Sequence, residues 1–357
     1  MASLEDLPIR DDLRGRQPYG APQLNVPVAL NVNENTHRIP EKVAIDVVAA
    51  IAAALIEINR YPDREFVELR SALANYLGDG MKAENLWAAN GSNEVLLQIF
   101  QAFGGPNRKA LGFGPTYSMY ALLALTTGTE YVDAPRAEKF ELSSELVVDA
   151  IKKHQPSIVL LCSPNNPTGT PLSLSVIEAA YDATDGIVVV DEAYAEFSGS
   201  ESAISMLEGR PRLLISRTMS KAFAFAGARL GYLAADPGAI DALRLVRLPY
   251  HLSAFTQAAA TAALKHSELM LKTVDDIRYQ RDRMSLALTE LGFEVFRSEA
   301  NFLMFSGVKD SAEAFEQLLA EGVLVRNVGI AHTLRVSAGT EAETSKFLEA
   351  AQKLVKL

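Results

Sequence analysis

The chain has 357 residues, 48% of them hydrophobic and 22% charged, which is the composition of a globular protein with a large core. Its formal net charge of −10 argues against a nucleic-acid partner, because no cluster of lysine and arginine offsets it. A single cysteine, Cys162, excludes an intrachain disulfide, and the five histidines lack the spacing of metal ligands, so we expect no metal.

The first 35 residues are rich in proline, glycine, asparagine and arginine and have little periodicity. They do not have the pattern of a compact domain, so they form either a disordered leader or an arm laid across another surface. Their acidic start has neither the basic nor the apolar segment of a signal peptide. The expected location is therefore the cytoplasm.

Two helices are predicted next, over residues 41–58 and 64–78, with a proline-containing turn at 59–63 between them. The longest apolar stretch of the chain lies in the first helix, but Asp46 and Glu57 interrupt it. We therefore expect a helix that packs on a protein core and no membrane span.

A glycine-serine turn, Gly91-Ser92, precedes an apolar helix that is predicted to start near Val95. Such a turn presents free backbone N–H groups and the positive end of the helix dipole, which favours an anion. The signal is weak alone, because many helices start in this way.

Two buried-strand patterns farther along are followed by polar residues. Residues 158–162 precede the segment Ser-Pro-Asn-Asn-Pro-Thr-Gly at 163–169, and residues 187–190 precede Asp-Glu-Ala-Tyr at 191–194. In open parallel α/β sheets, ligands bind beyond the carboxyl ends of the strands. The side chains that this rule brings together are an amide, a carboxylate and a phenol: Asn166, Asp191 and Tyr194.

A lysine stands among small and apolar residues in the segment 217–231. Desolvation would lower the pKa of Lys221, and a neutral amine in a dry site can attack a carbonyl group. Nearby Thr218, Ser220 and Arg229 could hold an anion such as a phosphate. The alternative is a lysine at the end of an element whose amine reaches solvent.

Short apolar runs alternate with helical segments between residues 125 and 216, which predicts a mostly parallel sheet with helices on both faces. Residues 236–289 have the pattern of long helices, broken by a proline near 249. Residues 292–357 show short strands, at 294–296, 302–305, 324–326 and 334–336, and two helices. We expect an α/β fold in three parts: an N-terminal arm (1–35), a large domain (36–245), and a linker helix with a small α+β domain (246–357).

These residues resemble the fold-type I pyridoxal-phosphate-dependent aminotransferases, and the segment TMSKAFAFAG resembles their class II signature. Together with NRYPD at 59–63 and RGRQPYGAPQLNV near the N-terminus, the chain is most similar to the histidinol-phosphate aminotransferases. The resemblance covers nearly the whole chain. The polar segments at 163–169 and 191–194 and the lysine segment are specific for the superfamily and less so for the substrate.

The resemblance implies pyridoxal 5′-phosphate as the cofactor, with Lys221, Asp191 and Tyr194 as catalytic residues. Lys221 would hold the aldehyde, Asp191 would face the pyridine nitrogen, and Asn166 and Tyr194 would bond the ring oxygen. Tyr117 would stack on the pyridine ring. The residues expected around the cofactor phosphate are Ser92, Asn93, Thr218, Ser220, Arg229 and, from the other subunit, Tyr61. A contribution from the other subunit implies an obligate homodimer with shared active sites.

The resemblance also implies substrate contacts from Tyr19, Asn33, Arg326 and Arg335. Each arginine lies in or beside an apolar run, where it needs an anionic partner, and the simpler interpretation is an internal ion pair. A guanidinium group binds carboxylate and phosphate in the same forked geometry. Thr36 stands where the family usually has proline, which we expect to alter only a local turn.

The expected activity is a ping-pong transfer of the amino group between L-histidinol phosphate and 2-oxoglutarate, giving imidazole acetol phosphate and glutamate. An aromatic amino-acid aminotransferase is the near alternative, since it shares the cofactor residues. A phosphothreonine-type decarboxylase, a cofactor-binding regulator and an inactive scaffold are the others. A regulator would need a DNA-binding segment that the leader cannot hold, and a scaffold would not need Lys221, Asp191 and Asn166 together.

Overall fold

The computed structural model describes residues 3–354. Before the first long helix, residues 3–40 contain only short turns and one two-residue strand, β1 (Val28–Ala29). Helices α1 (Glu41–Ile56) and α2 (Val67–Leu77) follow, and α2 ends at Gly78, whose φ of 69° suits a residue without a side chain. Both helices were predicted from the sequence, to within three residues at each end.

A seven-stranded sheet forms the centre of the molecule. Its strands are β2 (Leu86–Asn90), β3 (Lys109–Gly114), β4 (Glu130–Pro135), β5 (Ile158–Cys162), β6 (Ile187–Asp191), β7 (Leu213–Thr218) and β8 (Leu230–Ala235). Their spatial order is β2-β8-β7-β6-β5-β3-β4, and β8 alone runs antiparallel to its neighbours. The helices connecting these strands are α3 (Ser92–Phe103), α4 (Met119–Thr127), α5 (Ser144–His154) and α6 (Leu174–Ala183), and α7 (Pro237–Val246) follows β8.

The remaining elements form a smaller α+β unit and the helices that lead to it. The helices are α8 (Ala254–Leu264), α9 (Ser267–Met270), α10 (Thr273–Glu290), α11 (Ser311–Ala320) and α12 (Glu341–Ala351). The strands are β9 (Glu294–Val295), β10 (Phe302–Ser306), β11 (Val323–Leu324), β12 (Arg326–Asn327) and β13 (Thr333–Ser337). Four of them form an antiparallel sheet in the order β12-β13-β10-β9, whereas β11 pairs in parallel with β1 of the N-terminal segment.

The α/β class and the mostly parallel sheet are confirmed, one strand prediction is wrong, and the structure gives sharper limits for the helices. The predicted strand at 324–326 is two strands, because the chain leaves β1 at Leu324 and joins a different sheet at Arg326. The helix expected near Val95 begins at Ser92. The helical stretch after residue 236 comprises four separate helices. The domain limits at 35 and 245 stay a prediction.

The fold brings the ends of three neighbouring strands to one edge of the sheet. β5, β6 and β7 are parallel and almost wholly buried, which explains their continuous apolar sequences. Cys162 pairs with Asp191, and Asp191 pairs with Ser216, so the polar segments that follow these strands lie side by side. No helix of the described residues is both long enough and apolar enough to cross a membrane.

Candidate active site

A cavity of about 640 Å³ lies at this edge of the sheet, between the large sheet, the small sheet and the N-terminal segment. It collects every site residue predicted from the sequence except Tyr61. Those residues are Tyr19, Asn33, Ser92, Asn93, Tyr117, Asn166, Asp191, Tyr194, Thr218, Ser220, Lys221, Arg229, Arg326 and Arg335. The cavity therefore joins side chains that are up to 316 positions apart in the sequence.

Asp191 is the last residue of β6 and is 3% exposed. One carboxylate oxygen, Oδ2, accepts a hydrogen bond of 2.8 Å from the hydroxyl of Tyr120. The other, Oδ1, is buried without a partner among the described residues. Burial raises the pKa of Asp191 to about 6. A carboxylate oxygen that is buried without a partner, on a residue that lines a cavity, calls for a ligand that carries a hydrogen-bond donor.

Tyr194, Asn166 and Asn33 form a hydrogen-bonded group beside Asp191. The Tyr194 hydroxyl accepts bonds from the side-chain amides of Asn33 (2.9 Å) and Asn166 (3.3 Å). Arg335 donates to the Asn166 side-chain oxygen over 2.6 Å, which fixes the amide with its nitrogen toward Tyr194. Burial raises the pKa of Tyr194, so the phenol stays protonated and its own hydrogen is free to donate into the cavity.

Lys221 follows β7 after a short turn, and its amine Nζ donates to the backbone oxygen of Val32 over 3.0 Å. Burial lowers the pKa of Lys221 to about 8, and the positive charges of Arg335 and Arg229 act in the same direction. Glu34 opposes them. The amine is therefore much closer to neutrality at physiological pH than an exposed lysine, as a nucleophile or general base requires.

A second part of the cavity is built around the N-terminus of α3. Gly91 has a φ of 86°, and a Cβ there would lie 2.6 Å from Nη2 of Arg229, so only glycine lets the guanidinium group lie over the turn. A Cβ on Gly231 would lie 2.0 Å from the backbone nitrogen of Ser92. Two glycines thus bring β8, Arg229 and the free N–H groups of α3 together as an anion site.

Hydroxyl groups and an aromatic ring border this anion site. The hydroxyl of Thr218 accepts the backbone N–H of Ser220 over 3.1 Å, which shapes the turn before the lysine. Tyr117 donates to the Asn93 side-chain oxygen over 3.0 Å. Its ring meets that of Tyr120 edge to face, with the centroids 5.5 Å apart. Tyr117 therefore presents a fixed aromatic wall to the cavity.

Arg335 and Arg326 face each other across neighbouring strands of the small sheet. Arg335 is 7% exposed, donates to the backbone oxygen of Asn31 over 2.7 Å, and lies with its Cζ atom 5.1 Å from the centre of the Phe302 ring. Neither arginine forms an ion pair within the part of the chain that the structure describes. Burial lowers the pKa of Arg335 to about 10, so the group stays charged near neutral pH. A buried arginine and a partly buried one that line one cavity favour an anionic ligand there.

Tyr61 lies away from this cavity. Its side chain is 80% exposed, and its ring stacks on that of Tyr250 with the centroids 4.4 Å apart. The structure thus leaves Tyr61 accessible to a second molecule, and its role stays a prediction.

Two further residues belong to the site and were not identified from the sequence. Tyr120 lies in the first turn of α4, and its bond to Asp191 joins residues 71 positions apart in the chain. Glu34 lines the cavity in an irregular segment that gives no periodic signal.

The residues present fit pyridoxal phosphate on chemical grounds. For the pyridine nitrogen the cavity offers a carboxylate oxygen that no described residue bonds, for the ring oxygen a phenol, and for the aldehyde an amine of lowered pKa. The helix N-terminus and Arg229 offer a place for the phosphate. No cluster of metal-ligating side chains occurs among residues 3–354.

Comparison with known proteins agrees with this chemistry. The family model for aminotransferase class I and II matches residues 26–350. The chain is 57% identical to a histidinol-phosphate aminotransferase of Paenarthrobacter aurescens, over 99% of this chain and 96% of the relative. It is 53% identical to that of Thermobifida fusca, over 98% and 95%.

A solved structure supports the same assignment at the level of the fold. The histidinol-phosphate aminotransferase of Sinorhizobium meliloti, in complex with pyridoxal-5′-phosphate, superposes with a TM-score of 0.83 and 25% identity. The alignment covers 92% of this chain and 90% of that one. The chain therefore belongs to the class I and II aminotransferases, within the histidinol-phosphate aminotransferase family.

Proposed function

We propose that this chain is a pyridoxal-phosphate-dependent transaminase that moves the amino group between L-histidinol phosphate and 2-oxoglutarate in histidine biosynthesis. The products are imidazole acetol phosphate and glutamate. The observation that carries the proposal is the pair Arg326 and Arg335, two cations that line the same cavity as Lys221 and form no ion pair within residues 3–354. The relatives from P. aurescens and T. fusca, at 57% and 53% identity, carry the name of this activity.

The residues that would hold the cofactor divide into three sets. Asp191 would bind the pyridine nitrogen through Oδ1, Asn166 and Tyr194 would bond the ring oxygen, and Tyr117 would cover one face of the ring. The set proposed for the phosphate is Ser92, Asn93, Thr218, Ser220 and Arg229, with Tyr61 of the second subunit. When bound, pyridoxal phosphate supplies an aldehyde for Lys221 and a ring that accepts electrons from the substrate.

Lys221 has a second task once the amino donor has entered. With a pKa of about 8, its amine can take a proton from the substrate Cα in the first half-reaction. It can return a proton to the Cα of the new amino acid in the second. Its bond to the Val32 backbone oxygen shows that the amine reaches the wall formed by the N-terminal segment, where Asn33 also lies.

The substrate's anionic group is assigned to Arg326 and Arg335, because L-histidinol phosphate carries no α-carboxylate. Its phosphate then occupies the place that the carboxylate of 2-oxoglutarate takes in the second half-reaction. Tyr19, at 53% exposure, and Asn33 lie on the N-terminal side of the cavity and would contact the rest of the substrate. The aromatic amino-acid alternative is not favoured, since the high-identity relatives carry the other name.

A single-turnover experiment tests the substrate assignment. The purified pyridoxal form is mixed with L-histidinol phosphate or with L-phenylalanine, without an amino acceptor, and the loss of the visible absorbance of the bound cofactor is followed. Much faster loss with L-histidinol phosphate supports the proposal. Faster loss with L-phenylalanine would make the chain an aromatic aminotransferase, and no loss with either would leave the cofactor site standing without its proposed donor.

Replacing Arg326 by leucine is expected to raise KM for L-histidinol phosphate about 30-fold or more, because the phosphate would lose a charge-assisted partner in a partly desolvated site. Arg335→Lys should also raise KM, since it keeps the charge but loses the fork. Steady-state kinetics measure both effects. The matched control is Arg297→Leu, outside the cavity, where the arginine pairs with Glu299. Unchanged KM in Arg326→Leu would remove the proposed phosphate contact.

A homodimer is the assembly that we propose, and helix α1 carries the argument. Its sequence is apolar on nearly all sides, yet only Val43 and Val47 are buried. Ile45 and Val48 are 61% and 65% exposed, and beyond the helix Tyr61 is 80% exposed. The exposed apolar side chains on the outer face of such a helix need a packing partner, and a second copy of the chain would bury them. The cytoplasm stays the proposed compartment.

A mixing experiment tests whether Tyr61 serves the other subunit. Tyr61→Phe keeps the stack on Tyr250 but removes the hydroxyl, and we expect about tenfold weaker binding of pyridoxal phosphate. At limiting cofactor, this variant and Lys221→Ala are both poorly active. After subunit exchange, the mixed dimer has one site with both residues intact, so about a quarter of wild-type activity should return. No recovery would place Tyr61 in the site of its own subunit or outside both.

A further inference from the structure

Tyr120 is fully buried on α4 and is not part of the cavity wall, yet it contacts two residues that are. Its hydroxyl donates to Asp191 Oδ2 over 2.8 Å. Its ring meets the Tyr117 ring at an interplanar angle of 89°. One side chain therefore links the carboxylate at the base of the cavity to the aromatic wall.

We propose that Tyr120 is a positioning residue that holds the Asp191 carboxylate as an anion, with its free oxygen Oδ1 aimed at the ring nitrogen of the cofactor. The inference rests on the proposed function only in that pyridoxal phosphate must bind in this cavity. It does not depend on which amino donor the enzyme uses.

A buried phenol needs a hydrogen-bond acceptor in any protein, and the simplest interpretation is that Asp191 serves Tyr120. The geometry favours the opposite relation, in which Tyr120 serves Asp191. A neutral acceptor would satisfy the phenol, whereas a buried carboxylate with Oδ1 unpaired costs free energy unless a ligand compensates it. Because Tyr120 donates to Oδ2, Oδ1 is the carboxylate oxygen that has no partner among the described residues and can accept a bond from that ligand.

The groups around Asp191 favour this division of roles. Burial raises the pKa of Asp191, and Glu192 does so too, whereas the Tyr120 hydroxyl and the Ala193 backbone N–H lower it. Burial, Asp191 and Cys162 raise the pKa of Tyr120 well above its ordinary value, so Tyr120 remains a donor. Cys162, paired with Asp191 in the sheet, stays a neutral thiol because burial raises its pKa to about 12.

The consequence concerns one proton shared between Asp191 and the ring nitrogen. With the Tyr120 hydroxyl in place, the carboxylate is the weaker base and the proton stays on nitrogen. Without that hydroxyl, the carboxylate becomes more basic, and the proton moves to the carboxylate. The ring would then accept electrons less well, and the chemical step would slow.

The test uses holoenzyme loaded with ¹⁵N-pyridoxal phosphate and compares wild type with Tyr120→Phe. The nitrogen chemical shift should be that of a protonated ring in wild type at pH 7.5 and should move toward the unprotonated value in the variant. We expect kcat to fall about tenfold, the effect of one hydrogen bond to a charged group, with KM little changed. The control is Tyr232→Phe, an equally buried tyrosine of β8 outside the cavity, which should leave the shift unchanged.

A double-mutant comparison separates positioning from general loss of structure. If Tyr120 acts through Asp191, Tyr120→Phe should lower kcat in the wild-type background but have no further effect in Asp191→Asn. Equal losses in both backgrounds, or an unchanged nitrogen shift in Tyr120→Phe, would overturn the proposal. Should the variant not fold, an unprotonated ring in the wild-type enzyme would overturn it alone. A protein that binds no pyridoxal phosphate would contradict the proposed function instead.

Discussion

Lys221→Ala is expected to lower kcat with L-histidinol phosphate by about 10⁴-fold or more, because covalent attachment of the cofactor and proton transfer depend on the same amine. No other lysine lines the cavity among the described residues, so nothing replaces it. The cofactor should still bind without a covalent bond, since Asp191, Tyr194 and the anion site remain. Assays at saturating cofactor, with absorbance spectra of the same samples, measure both effects.

Lys221→Arg is the matched control, because it keeps a positive charge but cannot become a neutral nucleophile. It should be as inactive as the alanine variant. Near-normal kcat in either variant would contradict the assignment of Lys221. If Lys221→Ala loses the fold as well, its melting temperature in the apo form would reveal it, and the kinetic loss would carry no information on catalysis.

The lowered pKa of Lys221 also predicts how the apo-enzyme takes up pyridoxal phosphate with pH. Only the neutral amine reacts, and with a pKa of about 8 roughly a tenth of the amine is neutral at pH 7. The uptake rate should therefore rise with pH through about 8 and level off above it. Stopped-flow absorbance from pH 6 to 10 measures the profile. A rate that still rises steeply above pH 9 would mean that the amine is not desolvated.

The strands that end at the site could be predicted from the sequence for a physical reason. β5, β6 and β7 are buried on both faces, so each is a continuous apolar run, and the polar residues of the site follow directly. Asp191 and Asn166 were placed correctly in the cavity by this rule alone. Strands β2 and β8 were not predicted, and β8, which contains Gly231, joins the sheet only through antiparallel partners.

The contacts that finish the site could not be predicted, because they join residues far apart in the chain. Arg335 orients the Asn166 amide across 169 positions, and Asn33 bonds Tyr194 across 161. No local pattern encodes such pairs. The resemblance to a known family named the side chains, whereas the structure supplied their partners and showed that Arg326 and Arg335 form no ion pair within residues 3–354.

Asp191→Asn is expected to lower kcat about 10²- to 10³-fold and, in the apo-enzyme, to stabilise the fold at the same time. The loss of activity follows because an amide cannot hold a protonated ring nitrogen as a carboxylate does. The gain in stability follows from burial, which raises the pKa of Asp191 from 3.8 to about 6. The neutral acid is favoured in the fold, and the buried charge is not.

The contribution of Asp191 to the stability of the fold depends on pH. The stability that the raised pKa provides is fully present below about pH 4 and is lost as the pH rises through about 6. Asparagine, which never ionises, should therefore gain about 3 kcal/mol over wild type at pH 8 and almost nothing at pH 4. Urea unfolding of both apo-proteins at the two pH values measures the difference. Pyridoxal phosphate should reverse the order at pH 8, because its protonated ring nitrogen compensates the carboxylate, whereas equal stabilities in the apo state would mean that Asp191 is solvated.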